Sequence, residues 1–262
     1  MNYSSQEVIQ FVDEEDVKFI RLAFCDIDGN QKNISIMPNA LMKAFSDGVS
    51  VDARVMGMDE DCEIVLHPEP DTLALLPWRP DHGRVVRMYC SITDTDGNVI
   101  NQDKRYALSQ TNCVAGEYVT TVDFYLFTLD ESGNPTDVPY DNAGYMDIAP
   151  LDKCENIRRQ ICLTLEIMGV IPKTSCHSFG PGQNRISFCS DTVIGAADNL
   201  LTFASVARTM ASSNGLCVDF SEKPIAGGPK NSCLVSVGNI KKQFSLEINP
   251  YISHLEFSED KN

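Results

Sequence analysis

Alternating hydrophobic and polar positions dominate the first hundred residues and predict a β-rich beginning. Val17–Ala23 alternates, and the turn Asp28-Gly29-Asn30 leads into a second run at Asn33–Ile36. Two such runs joined by a short turn of this composition are typical of a β-hairpin. A short amphipathic helix is predicted at Pro38–Phe45, because proline is favoured in the first turn of a helix. Further strands are predicted at Glu63–Leu66, Thr72–Leu76 and Val85–Thr93.

Helical periodicity becomes clear only in the second half of the chain. Apolar residues spaced by three and four predict a helix over residues 153–168, with Asp152 as its N-cap and Gly169 at its end. A second helix is predicted over residues 196–213, and strands are predicted at Val218–Phe220 and Leu234–Val237. Helices packed against antiparallel strands make an α+β fold. The change of pattern near residue 100 predicts two domains, 1–100 and 101–262.

A hairpin is predicted between these two helices, in the segment CHSFGPGQNRISF at Cys176–Phe188. Gly180-Pro181-Gly182 supplies the turn, and apolar residues alternate on either side of it. The intervening positions include Ser178 and Arg185. Cys176 beside His177 is a weaker candidate for a thiol nucleophile, because adjacent residues on a strand point to opposite faces.

Composition and charge exclude some classes of function. The chain has 262 residues and a net charge of -16, which argues against nucleic acid as a partner because phosphates require a basic face. Its start lacks a secretion signal, and no apolar run is long enough to span a membrane. Ten cysteines occur without a C-x-x-C pair, as expected for reduced thiols. We therefore expect a cytoplasmic protein with no membrane partner.

Two acidic turns resemble the start of a calcium-binding loop. They are Asp26–Gly29 and Asp94–Gly97. A calcium loop of the EF-hand type would close with a glutamate, but the closing positions here hold Ser35 and Asp103. We interpret both segments as turns.

Six motifs in chain order carry a resemblance to a known family. They are Leu75–Pro80, Asp103–Tyr106, Asp123–Phe127, Gly144–Asp152, Pro181–Gln183 and Ala196–Asn199. Together they resemble the glutamine synthetase family from about Val17 to Val237. The resemblance implies an N-terminal β-grasp domain followed by a C-terminally truncated catalytic α/β domain, an antiparallel sheet with packed helices. It also implies ring-shaped oligomers with active sites between neighbouring subunits.

The chemistry of this family requires divalent metals, because ATP phosphorylates glutamate before ammonia displaces the phosphate. The resemblance places the metal ligands, glutamates and one histidine, at five positions that hold other residues here. Arg185 is the most informative of these, because its fixed positive charge would repel a divalent cation by several kcal/mol at an effective dielectric of about 20. Asp123 alone keeps an acidic group and is the candidate metal ligand. The five positions are Thr121, Asp123, Ser178, Arg185 and, after the glycine-rich loop Ala226–Ser232, Ser232.

Other positions of the family pattern are retained. Asp52 matches a loop aspartate that helps to deprotonate ammonium in the neighbouring subunit's site, and Lys223 matches a segment near the nucleotide. A solvated surface residue is the alternative for each of them. Arg185 is also a candidate for binding the carboxylate or phosphate of a small ligand.

The resemblance therefore predicts a non-catalytic homologue, a pseudoenzyme of a ligase family from nitrogen metabolism. It would bind a partner, either copies of itself or a full-length glutamine synthetase, or a small ligand, and would need no cofactor. The alternative is an active glutamate–ammonia ligase whose site is rebuilt or completed by a partner, with ATP and Mg²⁺ or Mn²⁺ as cofactors.

Overall fold

Strand pairing organises the chain into two compact units, each with its own sheet. The computed structural model describes residues 3–58, 62–78, 83–111 and 114–244. The units are Met1–Thr111 with Ile167–Gly169, and Asn112–Glu166 with Val170–Asn262. Strands and helices in both units confirm the α+β class, while the division at residue 100 stays a prediction. Arg79 and Pro80 of the first family motif, and residues 245–262, lie outside the described residues.

The first unit contains a six-stranded sheet with the order β2-β1-β6-β4-β3, to which β5 is added by pairing with β6. The pairing of β1 with β6 is parallel, and the others are antiparallel. The predicted strand at Thr72–Leu76 was largely wrong, because a 3-10 turn at Pro70–Thr72 shortens it to two residues. The strands are β1 Val17–Cys25, β2 Gln31–Ile36, β3 Val49–Asp52, β4 Glu63–Pro68, β5 Ala74–Leu75 and β6 Arg84–Asp94.

Among the described residues of this unit, three α-helices accompany the sheet: α1 Ser5–Glu14, α2 Leu41–Asp47 and α3 Lys104–Ser109. Helix α1 was not predicted, although a capping box of Ser4 and Glu7 marks its start. Its buried residues Val8 and Val12 join the core formed by the strands. Helix α2 confirms the predicted helix, with its first turn at Pro38–Ala40 in 3-10 form.

Three hairpin turns of the sequence pattern D-x-x-G-N share one arrangement of hydrogen bonds. They begin at Asp26, Asp94 and Asp130, and in each the carboxylate accepts the backbone N–H groups two and four residues later at 2.8–3.1 Å. The amide of the asparagine donates to the same carboxylate. In both acidic segments considered for calcium, the carboxylate of the first aspartate is therefore hydrogen-bonded within the turn. This confirms their interpretation as turns.

The second unit is built on a seven-stranded antiparallel sheet with the order β13-β12-β7-β10-β9. The long central strand β7 also pairs with β8 and β11. The pairing of β9 with β10 confirms the predicted hairpin. The strands are β7 Tyr118–Leu129, β8 Pro135–Pro139, β9 Ile171–His177, β10 Gln183–Ser190, β11 Leu216–Asp219, β12 Cys233–Val237 and β13 Ile240–Phe244.

The described residues of this part of the chain form two α-helices, α4 Glu155–Ile167 and α5 Val193–Ser213. On α5, the ring of Phe203 packs against Phe124, Phe188 and Phe220 with centroid distances of 5.4–6.0 Å. Burying such a ring contributes about 1.5–3 kcal/mol. Phe124 and Phe188 lie on the face of the sheet that packs against α5. Because successive strand residues point to opposite faces, the residues next to them on β7 and β10 lie on the face away from α5. Among the helices that the structure describes, none has the length and apolarity needed to cross a membrane.

Candidate functional site

A row of side chains crosses the face of the second sheet that points away from α5. The register pairs Cys176 on β9 with Arg185 on β10, and Arg185 with Asp123 on β7. On the far side of Asp123, its backbone N–H donates to the carbonyl of Ser232 at 2.8 Å. Strand pairing thus aligns a thiol, a guanidinium, a carboxylate and a hydroxyl, although they come from distant parts of the chain.

Asp123 is the centre of this row and is only 2% exposed. Its Oδ1 accepts hydrogen bonds from Ser178 Oγ and Arg185 Nε, each at 2.8 Å. Its Oδ2 accepts from Ser232 Oγ and Arg185 Nη2, again at 2.8 Å. A carboxylate offers about four lone-pair sites, and here each has a donor. The structure therefore brings together four of the five positions at which the resemblance placed metal ligands.

Thr121, the fifth position, lies two residues before Asp123 in the neighbouring row. Its register partners are Ser187 on β10 and Leu234 on β12. Among the described residues, no hydrogen bond joins its hydroxyl to Asp123. Alternation on β7 places the two side chains on the same face of the sheet.

The residues of this row do not fit a divalent cation as they are arranged. A magnesium or manganese ion prefers several carboxylate oxygens with free lone pairs. The one carboxylate here is fully hydrogen-bonded, and its bidentate partner Arg185 already supplies a positive charge. The hydrogen bond to Asp123 raises the pKa of Arg185 further, so this charge is permanent.

The glycine-rich loop Ala226–Ser232 is fastened to the turn of the hairpin. Gln183 Nε2 donates to the carbonyl of Lys230 at 3.0 Å, and Tyr125 Oη donates to the carbonyl of Pro229 at 2.8 Å. A Cβ on Gly180 would collide with Tyr125 Oη, so a larger residue at this point of the turn would displace the tyrosine side chain. These contacts hold the end of the loop where Ser232 reaches Asp123.

A buried pair of His177 and Asp141 stabilises the hairpin of β9 and β10. His177 Nε2 lies 2.9 Å from Asp141 Oδ1, and His177 Nδ1 lies 2.9 Å from the carbonyl oxygen of Ser178. Both partners accept hydrogen bonds, and an imidazole protonated at both nitrogens can donate to each of them. Burial alone would lower the pKa of His177, but the hydrogen bonds to Asp141 and Ser178 outweigh it and raise the pKa. His177 therefore turns away from Cys176, which argues against the thiol nucleophile.

Asp141 is the residue of this region that the sequence analysis missed. Its carboxylate also accepts the backbone N–H groups of Gly182 at 2.9 Å and Lys153 at 3.0 Å. Burial raises its pKa, but the hydrogen bonds from His177 and Gly182 bring the pKa well below its usual range. No periodic pattern marks Asp141, which lies just after β8 and meets partners from distant segments. Its carboxylate ties the hairpin turn to the segment before α4.

Asp141, Asp152 and Cys154 bring three potential metal-ligating atoms within 4.8 Å of one another. Each carboxylate already faces an internal cation, His177 for Asp141 and Arg158 for Asp152 at 2.5 Å. Burial raises the pKa of the Cys154 thiol, which disfavours the thiolate that a metal needs. The predicted capping role of Asp152 is confirmed in part, since it accepts the N–H of Cys154 at 3.0 Å while α4 begins at Glu155.

The two remaining predicted site residues lie on the surface. Asp52, in the first unit, caps the 3-10 turn Ala53–Met56 by accepting the N–H of Arg54 at 2.9 Å. Hydrogen bonds from the Arg54 side chain and backbone lower the pKa of Asp52 to about 2. Lys223, in the second unit, is exposed in the segment between β11 and the glycine-rich loop.

Comparison with known proteins identifies both parts of the chain. The family described as "Glutamine synthetase, beta-Grasp domain" matches residues 16–95, and "Glutamine synthetase, catalytic domain" matches residues 101–238. Glutamine synthetase of Clostridium saccharobutylicum is 39% identical over 236 residues, covering 86% of this chain and 53% of the relative. Glutamine synthetase of Thermotoga maritima is 34% identical, covering 85% and 53%. The chain therefore spans about half the length of the curated relatives it matches.

Solved structures show the same fold at lower identity. The Plasmodium falciparum glutamine synthetase superposes with a TM-score of 0.77 at 18% identity, covering 93% of this chain and 56% of that one. Ligand-free GmaS superposes with a TM-score of 0.76 at 20% identity, covering 92% and 57%. The implied β-grasp domain followed by part of a catalytic domain is confirmed. The chain belongs to the glutamine synthetase family.

Proposed function

We propose that this chain is a non-catalytic member of the glutamine synthetase family, a pseudoenzyme that acts by binding. One observation carries the proposal: Asp123 is fully hydrogen-bonded by Arg185, Ser178 and Ser232, at positions where the family resemblance places metal ligands. The guanidinium of Arg185 is the counter-charge of Asp123, in place of a metal ion.

The positive charge of Arg185 opposes the binding of a divalent ion at this position. A divalent ion about 4 Å from a fixed guanidinium is repelled by about 8 kcal/mol at an effective dielectric of about 20. The carboxylate of Asp123 brings the net charge of the pair to about zero, and the two serine hydroxyls add no negative charge, so the row has no surplus charge to attract the ion. Transfer of a phosphoryl group from ATP depends on metal ions to neutralise the phosphate oxygens, so a chain that does not hold them loses the first step of the family's reaction.

The proposed role is therefore assembly or ligand binding in the cytoplasm. The family resemblance implies ring-shaped oligomers, and residues 16–95 match the β-grasp domain. We propose that it associates with copies of itself or with a full-length glutamine synthetase. The mass of the pure protein in solution tests self-association, and co-purification with a full-length synthetase tests the mixed assembly. A monomer that captures no synthetase would overturn the proposal of a protein partner.

The proposed absence of ligase activity is tested by measuring phosphate released from ATP. The assay compares release with and without glutamate, in the presence of Mg²⁺ or Mn²⁺. Glutamine synthetase of Clostridium saccharobutylicum serves as the active control. We expect no release above the level without glutamate, even at high protein concentration. Glutamate-dependent release by the pure chain would contradict the proposal.

An active ligase with a rebuilt or partner-completed site is the second candidate, favoured by the acidic groups kept at Asp52 and Asp123. In that case the chain would gain activity when mixed with a partner. An increase in glutamate-dependent release on addition of this chain to an inactive, metal-binding synthetase variant would favour this candidate over the pseudoenzyme.

A further inference from the structure

Two aromatic rings lie beside Arg185 on the surface of the second unit. Tyr145 and Phe179 stack with their ring centroids 4.3 Å apart and their planes 9° apart. Both residues remain well exposed, at 44% for Tyr145 and 56% for Phe179. The guanidinium carbon of Arg185 lies 5.5 Å from the centroid of the Phe179 ring. A flat apolar surface and a cation are thus presented together.

Arg185 keeps hydrogen-bonding capacity after its bidentate contact with Asp123. Nε and Nη2 donate to the carboxylate, and 26% of the side chain is exposed. A guanidinium has five N–H donors, so both hydrogens of Nη1 and the second hydrogen of Nη2 form an outer edge. Among the described residues, no hydrogen-bond acceptor is bound at Nη1. This edge has the geometry that matches a second carboxylate.

The turn that carries Tyr145 is fixed before any ligand arrives. The N–H of Gly144 donates to the carboxylate of Asp147 at 2.7 Å, and the N–H of Met146 donates to the carbonyl of His177 at 3.1 Å. Met146 has a backbone φ of 59°, in the left-handed region that residues other than glycine seldom adopt. A preorganised surface loses less conformational entropy on binding than a flexible one.

We propose that Arg185, Phe179 and Tyr145 form a binding site for a small organic monocarboxylate with a flat apolar body. The body packs on the two rings, and the carboxylate accepts hydrogen bonds from the outer edge of Arg185. A monoanion is favoured over a phosphate dianion, because Asp123 already balances the charge of the single guanidinium. The proposal rests on the non-catalytic function, since a bound metal would require Arg185 to leave Asp123.

Phenylacetate is the probe for this site, measured by saturation-transfer NMR on the full chain in the presence of EDTA. We expect a dissociation constant of about 1 mM. Benzyl alcohol lacks the carboxylate and acetate lacks the ring, so each should bind at least about tenfold more weakly. Phe179→Ala removes the ring next to the guanidinium and should weaken binding about three- to tenfold. Ile148→Ala, at a residue 77% exposed on the same loop, is the matched control and should leave binding unchanged.

Three results would overturn the site. Equal binding of phenylacetate and benzyl alcohol would show an apolar surface without anion recognition. Equal binding to the wild type and to Phe179→Ala would remove the aromatic surface from the site. Tighter binding of phenyl phosphate than of phenylacetate would reject the monocarboxylate.

A Mn²⁺ titration without chelator tests the non-catalytic proposal separately from the carboxylate site. Paramagnetic broadening from an ion seated at Asp123 would refute the non-catalytic proposal. Absence of phenylacetate binding together with absence of Mn²⁺ binding would refute the carboxylate site alone.

Discussion

Replacement of Arg185 by methionine tests the electrostatic centre of the second unit. Methionine keeps much of the apolar stem but removes the cation and both hydrogen bonds to Asp123. Asp123, only 2% exposed as a residue, would then keep its carboxylate buried with only the hydroxyls of Ser178 and Ser232 as donors. We expect a large loss of stability, because an uncompensated buried charge is more costly than an absent ion pair.

The magnitude follows from the burial of the pair. Breaking a buried ion pair typically costs 3–5 kcal/mol, and the 26% exposure of Arg185 lets water relieve part of this cost, so we expect about 3 kcal/mol. Asp123→Asn should cost less, about 1–2 kcal/mol, because the unpaired guanidinium can turn toward solvent. The double variant should cost less than the sum of the two, with a coupling free energy of about 2 kcal/mol.

The assay is urea denaturation followed by far-ultraviolet circular dichroism, since urea does not screen charges. Lys230→Met is the matched control, because Lys230 pairs with Glu222 on the surface with both side chains more than half exposed. Its effect should lie within the error of the measurement. If Arg185→Met were no more destabilising than Lys230→Met, the view of Arg185 as the essential counter-charge of Asp123 would be wrong.

Three other substitutions test contacts away from that pair, each by urea denaturation. His177→Gln should cost about 3 kcal/mol by leaving Asp141 buried without its cation. Because the folded pKa of His177 is raised above 6.5, the wild-type advantage should be complete below that pH and shrink as the pH rises through the folded value. Gly180→Ala should cost about 1–3 kcal/mol through its clash with Tyr125, and adding Tyr125→Phe should recover part of it. Burial raises the pKa of Asp26, but hydrogen bonds from Asn30 lower it below 3.8 overall, so its stabilisation is present above that pH and lost below it. Asp26→Asn should therefore lose less stability than the wild type on acidification, and equal losses would contradict this.

Local pattern was sufficient for most of the secondary structure. Strands β1 and β6 and the hairpin of β9 and β10 follow from alternation and turn residues, because one face of each strand must be buried. The capping box of Ser4 and Glu7 is a local signal for the start of helix α1. The limits of the short strand β5 could not be predicted from the sequence. The 3-10 turn at Pro70–Thr72 and an extended run compete for the same residues, and pairing with β6 decides where the strand begins.

The sequence by itself determined the family, the fold class and the residues that replace the expected metal ligands, because motifs and strand alternation are local properties of the chain. Only the tertiary structure decided what those residues do. Asp123 meets Arg185 and Ser232 from 62 and 109 residues away, and Asp141 meets His177 from 36 residues away. Such contacts depend on strand register and loop closure, which place distant side chains within hydrogen-bonding distance and which no local pattern specifies.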